Sequence, residues 1–130
     1  MKSLVIVAHG SKREHSNNEV FELMNSLQHK IKDEYPIIES SFLEFASPSI
    51  PKAIELCIQQ GATQIKVLPY FLSAGKHVHK DIPQEAERAA MNNENISVEV
   101  LPHLGSSQMM VELLHKALIP HETTNRTIAN

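Results

Sequence analysis

The chain has 130 residues, 42% of them hydrophobic and 21% charged, with a formal net charge of −3. That length suits a single domain with its own core, while the lone Cys57 excludes both an intrachain disulfide framework and a multi-cysteine zinc site. The acidic balance argues against a nucleic-acid partner, no apolar run approaches the ~20 residues of a membrane span, and a cytoplasmic protein with no membrane attachment is expected.

Residues 4–8 form a continuous apolar run closed by His9-Gly10-Ser11, the pattern of a strand buried on both faces. Val20, Met24, Leu27 and Ile31 then make one apolar helical stripe, which Pro36 stops. Residues 37–45 mix β-branched and aromatic side chains with serines and predict a second strand. Ser49 can cap a second helix carrying Ile50, Ala53, Ile54, Cys57 and Ile58 on one side, with Gly61 at its C-terminal end. Cys57 reads there as a small packed hydrophobe. Residues 65–72 predict a third strand in which Pro69 ends regular pairing.

Asp81 can cap a third helix, with Pro83 near its first turn and Glu85 and Glu87 suited to the positive end of the dipole. Residues 96–101 alternate cleanly, as an edge strand with one solvated face does. A fourth helix follows a Ser106-Ser107 cap and carries Met109, Met110, Leu113, Leu114 and Ala117, with the methionines read as core. From about residue 120 the chain turns polar, so a single domain over 1–119 and a mobile tail over 120–130 are expected.

The order βαβαβαβα predicts a flavodoxin-like α/β three-layer sandwich: a four-stranded parallel sheet, order 2-1-3-4, with helices on both faces. In such sheets ligands bind beyond the C-terminal strand ends where the order reverses, here between strands 1 and 3. That placement selects residues. His9 ends strand 1, and His77 lies in the loop after strand 3, so two imidazoles distant in sequence meet one crevice. Neutral imidazole binds cobalt, nickel, iron or zinc and accepts protons near neutral pH. Glu44, at the end of strand 2, brings a carboxylate to the same edge. Two His and one Glu leave coordination positions open for a substrate.

Lys12, Arg13, Lys76 and Lys80 cluster beside these loops, and a basic rim suits a substrate rich in carboxylates. His79 either joins the site or faces solvent, and Ser11 either contacts substrate or holds the turn. His103 is a weaker candidate at the same rim; His15, His29, His115 and His121 read as surface or tail. No G-x-G-x-x-G or Walker pattern is present, so neither a nucleotide nor an organic cofactor is expected.

Residues 7–11 (Val-Ala-His-Gly-Ser), 42–50 (Phe-Leu-Glu-Phe-Ala-Ser-Pro-Ser-Ile), 68–72 (Leu-Pro-Tyr-Phe-Leu) and 75–83 (Gly-Lys-His-Val-His-Lys-Asp-Ile-Pro) resemble, in order, the small sirohydrochlorin chelatases. Leu104-Gly105 matches a weaker block. The resemblance implies a chelatase-like fold and insertion of a divalent metal, Co²⁺, Fe²⁺ or Ni²⁺, into sirohydrochlorin on the route to cobalamin or sirohaem. It implies that His9 and His77 hold the metal and help remove pyrrole protons, with Glu44 a recurrent acidic position nearby. Ser11, Lys12, Arg13, Lys76 and His79 become candidates for binding the polyanionic ring. Lys12 stands where an arginine is common. Larger chelatases resemble two such domains in one chain, which implies a homodimer here.

Three other readings compete. Histidine phosphatases also carry His-Gly after strand 1 but need a preceding arginine to clamp phosphate, and here Ala8 precedes His9. A non-catalytic divalent-metal carrier using the same histidines would bind metal without changing the tetrapyrrole. A purely structural flavodoxin-like domain leaves the strand-end His, Glu and Lys unexplained.

Overall fold

In a computed structural model the described residues are 1–73 and 75–119, with the side chain of His77 outside that description. Their order is β1 (Lys2–Ala8), α1 (Glu14–Ile31), β2 (Ile37–Phe42), α2 (Ile50–Gln59), β3 (Gln64–Pro69), α3 (Lys76–Met91), β4 (Ser97–Val100), a 3-10 turn at Leu104–Ser106 and α4 (Met109–Ala117). All pairings are parallel and the strand order is β2-β1-β3-β4. This is the expected sheet. The tail expected over 120–130 lies outside the described residues.

The sheet's two faces are covered differently. β1 is central and buried from Ser3 to Ala8, and its alternate side chains divide between two cores. Val5 and Val7 join Ile65 and Val67 against Ile50, Ala53, Ile54 and Cys57 of α2 and Ile82, Ala86 and Ala89 of α3. Leu4 and Ile6 face Met24, Leu27 and Ile31 of α1. Over β3 and β4 that second face carries the Lys66–Glu99 ion pair at 3.9 Å instead of a packed helix.

Local chemistry explains most boundaries. Ser49 Oγ accepts the Lys52 N–H and caps α2, while Gly61 takes φ +102° just past its end. β4 alternates between exposed and half-buried positions, as an edge strand does. β2 ends at Phe42, earlier than the serine-rich run suggested, because the Phe42 N–H turns to the Pro48 carbonyl.

Two expectations are corrected. α3 begins at Lys76 with Gly75 as its N-cap, so Asp81 is an interior residue and no cap, and His77 lies in a helical turn rather than a loop. Pro83 is therefore well inside the helix, where it has no N–H to offer the His79 carbonyl. Packing of Ile82 and Ala86 into the core holds the helix together across that gap. The second correction is larger. α4 buries none of its residues, and Met109, Val111, Leu113, Leu114, Leu118 and Ile119 are all more than half exposed. Neither methionine is core, Met109 being exposed and Met110 half-buried, because α4 packs on the 3-10 turn rather than on the sheet. Ser106 and Ser107 do not cap it in the ordinary way either: Gln108 is the N-cap, and Ser107 Oγ accepts the Met109 N–H at 3.2 Å.

Candidate active site at the carboxyl edge of the sheet

The β1–β2 ladder continues one step beyond its strands and thereby builds the site. Leu43 N–H donates to the Ala8 carbonyl at 3.1 Å and Glu44 N–H to the His9 carbonyl at 3.0 Å. This registers Glu44 beside His9, and the side chains meet with His9 Nε2 3.1 Å from Glu44 Oε2. The crossing needs Gly10: its φ is +94°, and a Cβ there would lie 1.8 Å from the Glu44 carbonyl oxygen. Ala46 N–H then returns to the Glu44 carbonyl at 2.8 Å, with Phe45 between them at φ 61°. Glu44 thus sits on a tight three-residue turn.

The spacing of the pair has a chemical reading. Two donors at about 2.1 Å from one ion stand roughly 3.0–3.4 Å apart for right-angle to tetrahedral coordination. His9 Nε2 and Glu44 Oε2 form a hydrogen bond at 3.1 Å, a separation that falls in the same interval. The side chains are 61% and 55% exposed, so incoming ions and ligands reach them. The Phe71 ring stands edge-on to His9, with centroids 6.5 Å apart, and forms one wall beside the imidazole. Among the described residues no group of three or more His, Cys, Asp or Glu comes together as a metal site. His77 occupies the second position of α3 on this same strand-end edge, by backbone placement alone.

The other candidates separate by their contacts. Ser11 is a turn holder: its N–H donates to Asn17 Oδ1 at 2.9 Å, its carbonyl accepts Asn17 Nδ2 at 2.8 Å, and its Oγ accepts the Arg13 N–H at 3.1 Å. Asn17 is buried, and this double contact fixes the loop that carries His9 and Gly10. A signal for it existed. Asn17 extends the Val20, Met24, Leu27, Ile31 stripe by one step, and an amide on a buried stripe needs partners.

Lys12 Nζ lies 5.2 Å above the Phe45 ring, tying the β1 and β2 loops together while keeping its charge at the rim. Arg13 and Lys76 are exposed at the starts of α1 and α3. His79 turns elsewhere: its ring meets His103 edge-to-face with centroids 5.7 Å apart. Hollows lie on both flanks of the His9–Glu44 pair. One of about 700 Å³ on the β2 side includes Glu44, Phe45 and Lys52 in its lining, and one of about 580 Å³ on the β3–β4 side includes His79 and His103. Away from the site, Cys57 is fully buried and its thiol is pushed up from 9.0 to about 11 by that burial, so it packs as a hydrophobe.

The fold and this edge define a parallel α/β protein whose strand-end loops present a hydrogen-bonded histidine–glutamate pair. Residues 3–120 match the CbiX family model, and the chain belongs to that family. It is 38% identical over 112 residues to the chloroplastic sirohydrochlorin ferrochelatase of Arabidopsis thaliana, covering 86% of this chain and 49% of that protein. It is 42% identical over 86 residues to a sirohydrochlorin cobaltochelatase of Methanocaldococcus jannaschii, covering 65% and 57% respectively. The chain therefore spans about half the length of these curated relatives. Among solved structures, the sirohydrochlorin chelatase SirB of Bacillus subtilis subspecies spizizenii in complex with cobalt superposes with a TM-score of 0.78 at 30% identity, over 88% of this chain and 48% of that one. No helix among the described residues is long and apolar enough to cross a membrane.

Proposed function

We propose that this chain inserts a divalent metal, Co²⁺ or Fe²⁺, into sirohydrochlorin, with His9 and Glu44 as the nitrogen–oxygen pair that receives the ion and His77 as the third participant. The observation that carries the reading is the 3.1 Å His9–Glu44 contact at the strand-end edge of a CbiX-family fold. The names of the ferrochelatase and cobaltochelatase relatives support the substrate and leave the choice of metal open; Ni²⁺ has the same ligand preference.

The chemistry follows from the groups present. The free macrocycle carries two pyrrolic protons, and the ion enters as M²⁺, so insertion releases two H⁺ and changes no oxidation state. Imidazole is the side chain that exchanges protons near neutral pH, which makes a histidine a competent acceptor for them. Exposure of the His9–Glu44 pair lets a flat ring approach the ion from the open side. Lys12, Arg13 and Lys76 stand around that approach as cations for the ring's carboxylates, and His79 borders the β3–β4 flank. Neither a nucleotide nor an organic cofactor enters this scheme.

A ring of that breadth extends past one sheet edge, and a second copy of the chain would supply the opposing wall. The exposed apolar surface of α4 supports such a homodimer.

The test is an anaerobic insertion assay, followed by visible absorption, with Co²⁺, Fe²⁺ and Ni²⁺ at matched concentrations. At least one ion is expected to give the metallated spectrum at a rate that falls at least tenfold in His77→Ala. Stoichiometric metal uptake with an unchanged sirohydrochlorin spectrum would replace this reading with the carrier one.

A further inference from the structure

We propose that the Phe45 ring is a contact for the flat face of the macrocycle, with the Lys12 ammonium beside it taking a peripheral carboxylate; this rests on the insertion activity proposed above. Phe45 directly follows Glu44 at the carboxyl edge of the sheet. Its neighbours in the same run pack inward. Phe42 is buried with Ala8 and Val20, Ala46 packs against them, and Leu43 packs against the core formed with α2 and α3. Phe45 instead is 59% exposed, a large apolar surface left in water beside the His9–Glu44 pair.

The backbone does not call for an aromatic there. Phe45 takes φ 61° in the turn whose Ala46 N–H returns to the Glu44 carbonyl at 2.8 Å. That left-handed conformation favours glycine and asparagine, and a bulky side chain in it is uncommon. Neither core packing nor turn geometry accounts for the ring, and an exposed aromatic kept in an unfavourable conformation at a site is the pattern of a binding residue. Its position is tied to the loop that carries His9, because Lys12 Nζ of that loop lies 5.2 Å from its centroid. With Glu44 and Lys52 it also lines the hollow of about 700 Å³ on the β2 side.

An aromatic ring with an ammonium beside it matches a conjugated macrocycle with an anionic periphery. Stacked or edge-to-face contact at ~4.5–7 Å between ring centres removes water from both apolar faces, while a carboxylate at the margin takes a charge-assisted hydrogen bond from Lys12. A phenyl ring offers a hydrated divalent ion no donor atom. The contact therefore acts on binding of the macrocycle and leaves metal uptake at His9 and Glu44 alone.

The test compares the full wild-type chain with Phe45→Asn, which suits the turn and removes the ring, and Phe45→Tyr, which keeps a ring. Metal-free sirohydrochlorin is titrated anaerobically and followed by visible absorption. Its Kd is expected to rise at least about tenfold in Phe45→Asn and to stay within about threefold in Phe45→Tyr. Co²⁺ affinity, by equilibrium dialysis, is expected to be unchanged in both, and the melting temperature of Phe45→Asn to be no lower than that of the wild type. In the insertion assay the KM for sirohydrochlorin rises in the same ratio and the KM for Co²⁺ does not. Equal affinity of wild type and Phe45→Asn for the macrocycle would overturn the contact and leave the insertion activity standing. Parallel losses of macrocycle and Co²⁺ affinity would also overturn it, by making Phe45 a support for the Glu44 turn. A wild type without affinity for sirohydrochlorin would overturn both.

Discussion

His9 and Glu44 are each more than half exposed, and a pair so placed contributes no more than ~1 kcal/mol to stability. The proposed function gives it another value, in donor spacing. Glu44→Gln is accordingly expected to shift the melting temperature by less than about 4 °C while weakening Co²⁺ binding by about tenfold or more, as scanning calorimetry and equilibrium dialysis will measure. Cys57 makes the opposite kind of prediction. Burial raises its thiol from 9.0 to about 11, so the unfolded chain loses that proton first as pH rises. The associated stability, about 2–3 kcal/mol, is fully present below pH 9 and lost as pH rises through 11. Urea midpoints are expected to fall more steeply over that window in the wild type than in Cys57→Ala; parallel curves would contradict the assignment. At this scale the strand-end positions of His9 and Glu44 were legible, the first from the apolar run before it and the second from the end of the second strand, whereas the partner of His79 was not. Pairing His79 with His103 depends on how α3 leans toward β4, which periodicity does not encode.

At the scale of elements, close backbone crossings decide the shape of the edge. Gly10 passes against the Glu44 carbonyl, and Gly105 against the Leu72 carbonyl, where a Cβ would lie 1.6 Å from the oxygen. Gly10→Ala is expected to cost about 3 kcal/mol or more in a urea unfolding curve, and to weaken metal binding at His9 by displacing the loop that carries it. Retention of wild-type stability would show that the crossing is not as tight as the structure makes it. β1, α1, α2 and β4 were readable from apolar period, the Ser49 cap and the Gly61 stop, all of them local signals. The start of α3 was not. A proline near a helix start is the common arrangement, so Pro83 and Asp81 pointed to a later beginning. Burial of Ile82, Ala86 and Ala89 against the sheet instead sustains a helix through the proline. α4 illustrates the converse: its apolar pattern is real, yet pattern alone does not say which surface receives it.

For the whole molecule, the exposed apolar side chains of α4 and the open β3–β4 half of the α1 face are the features that a lone domain does not explain. If a second copy covers α4, Leu114→Glu/Leu118→Glu is expected to sediment as a monomer where the wild type sediments as a dimer. A wild-type chain that is monomeric and fully active at nanomolar concentration would contradict the two-walled arrangement. The sheet and its strand order were legible from the alternation of strands and helices, because right-handed crossovers admit few arrangements. The activity proposed for this edge is insertion of a metal ion into a tetrapyrrole through His9 and Glu44. It is tested most directly by mixing the protein anaerobically with sirohydrochlorin and Co²⁺ and following the visible spectrum. Protein-dependent conversion to the metallated spectrum is expected, slowed at least a hundredfold in His9→Ala; conversion at an equal rate in that folded variant would rule out a role for this pair.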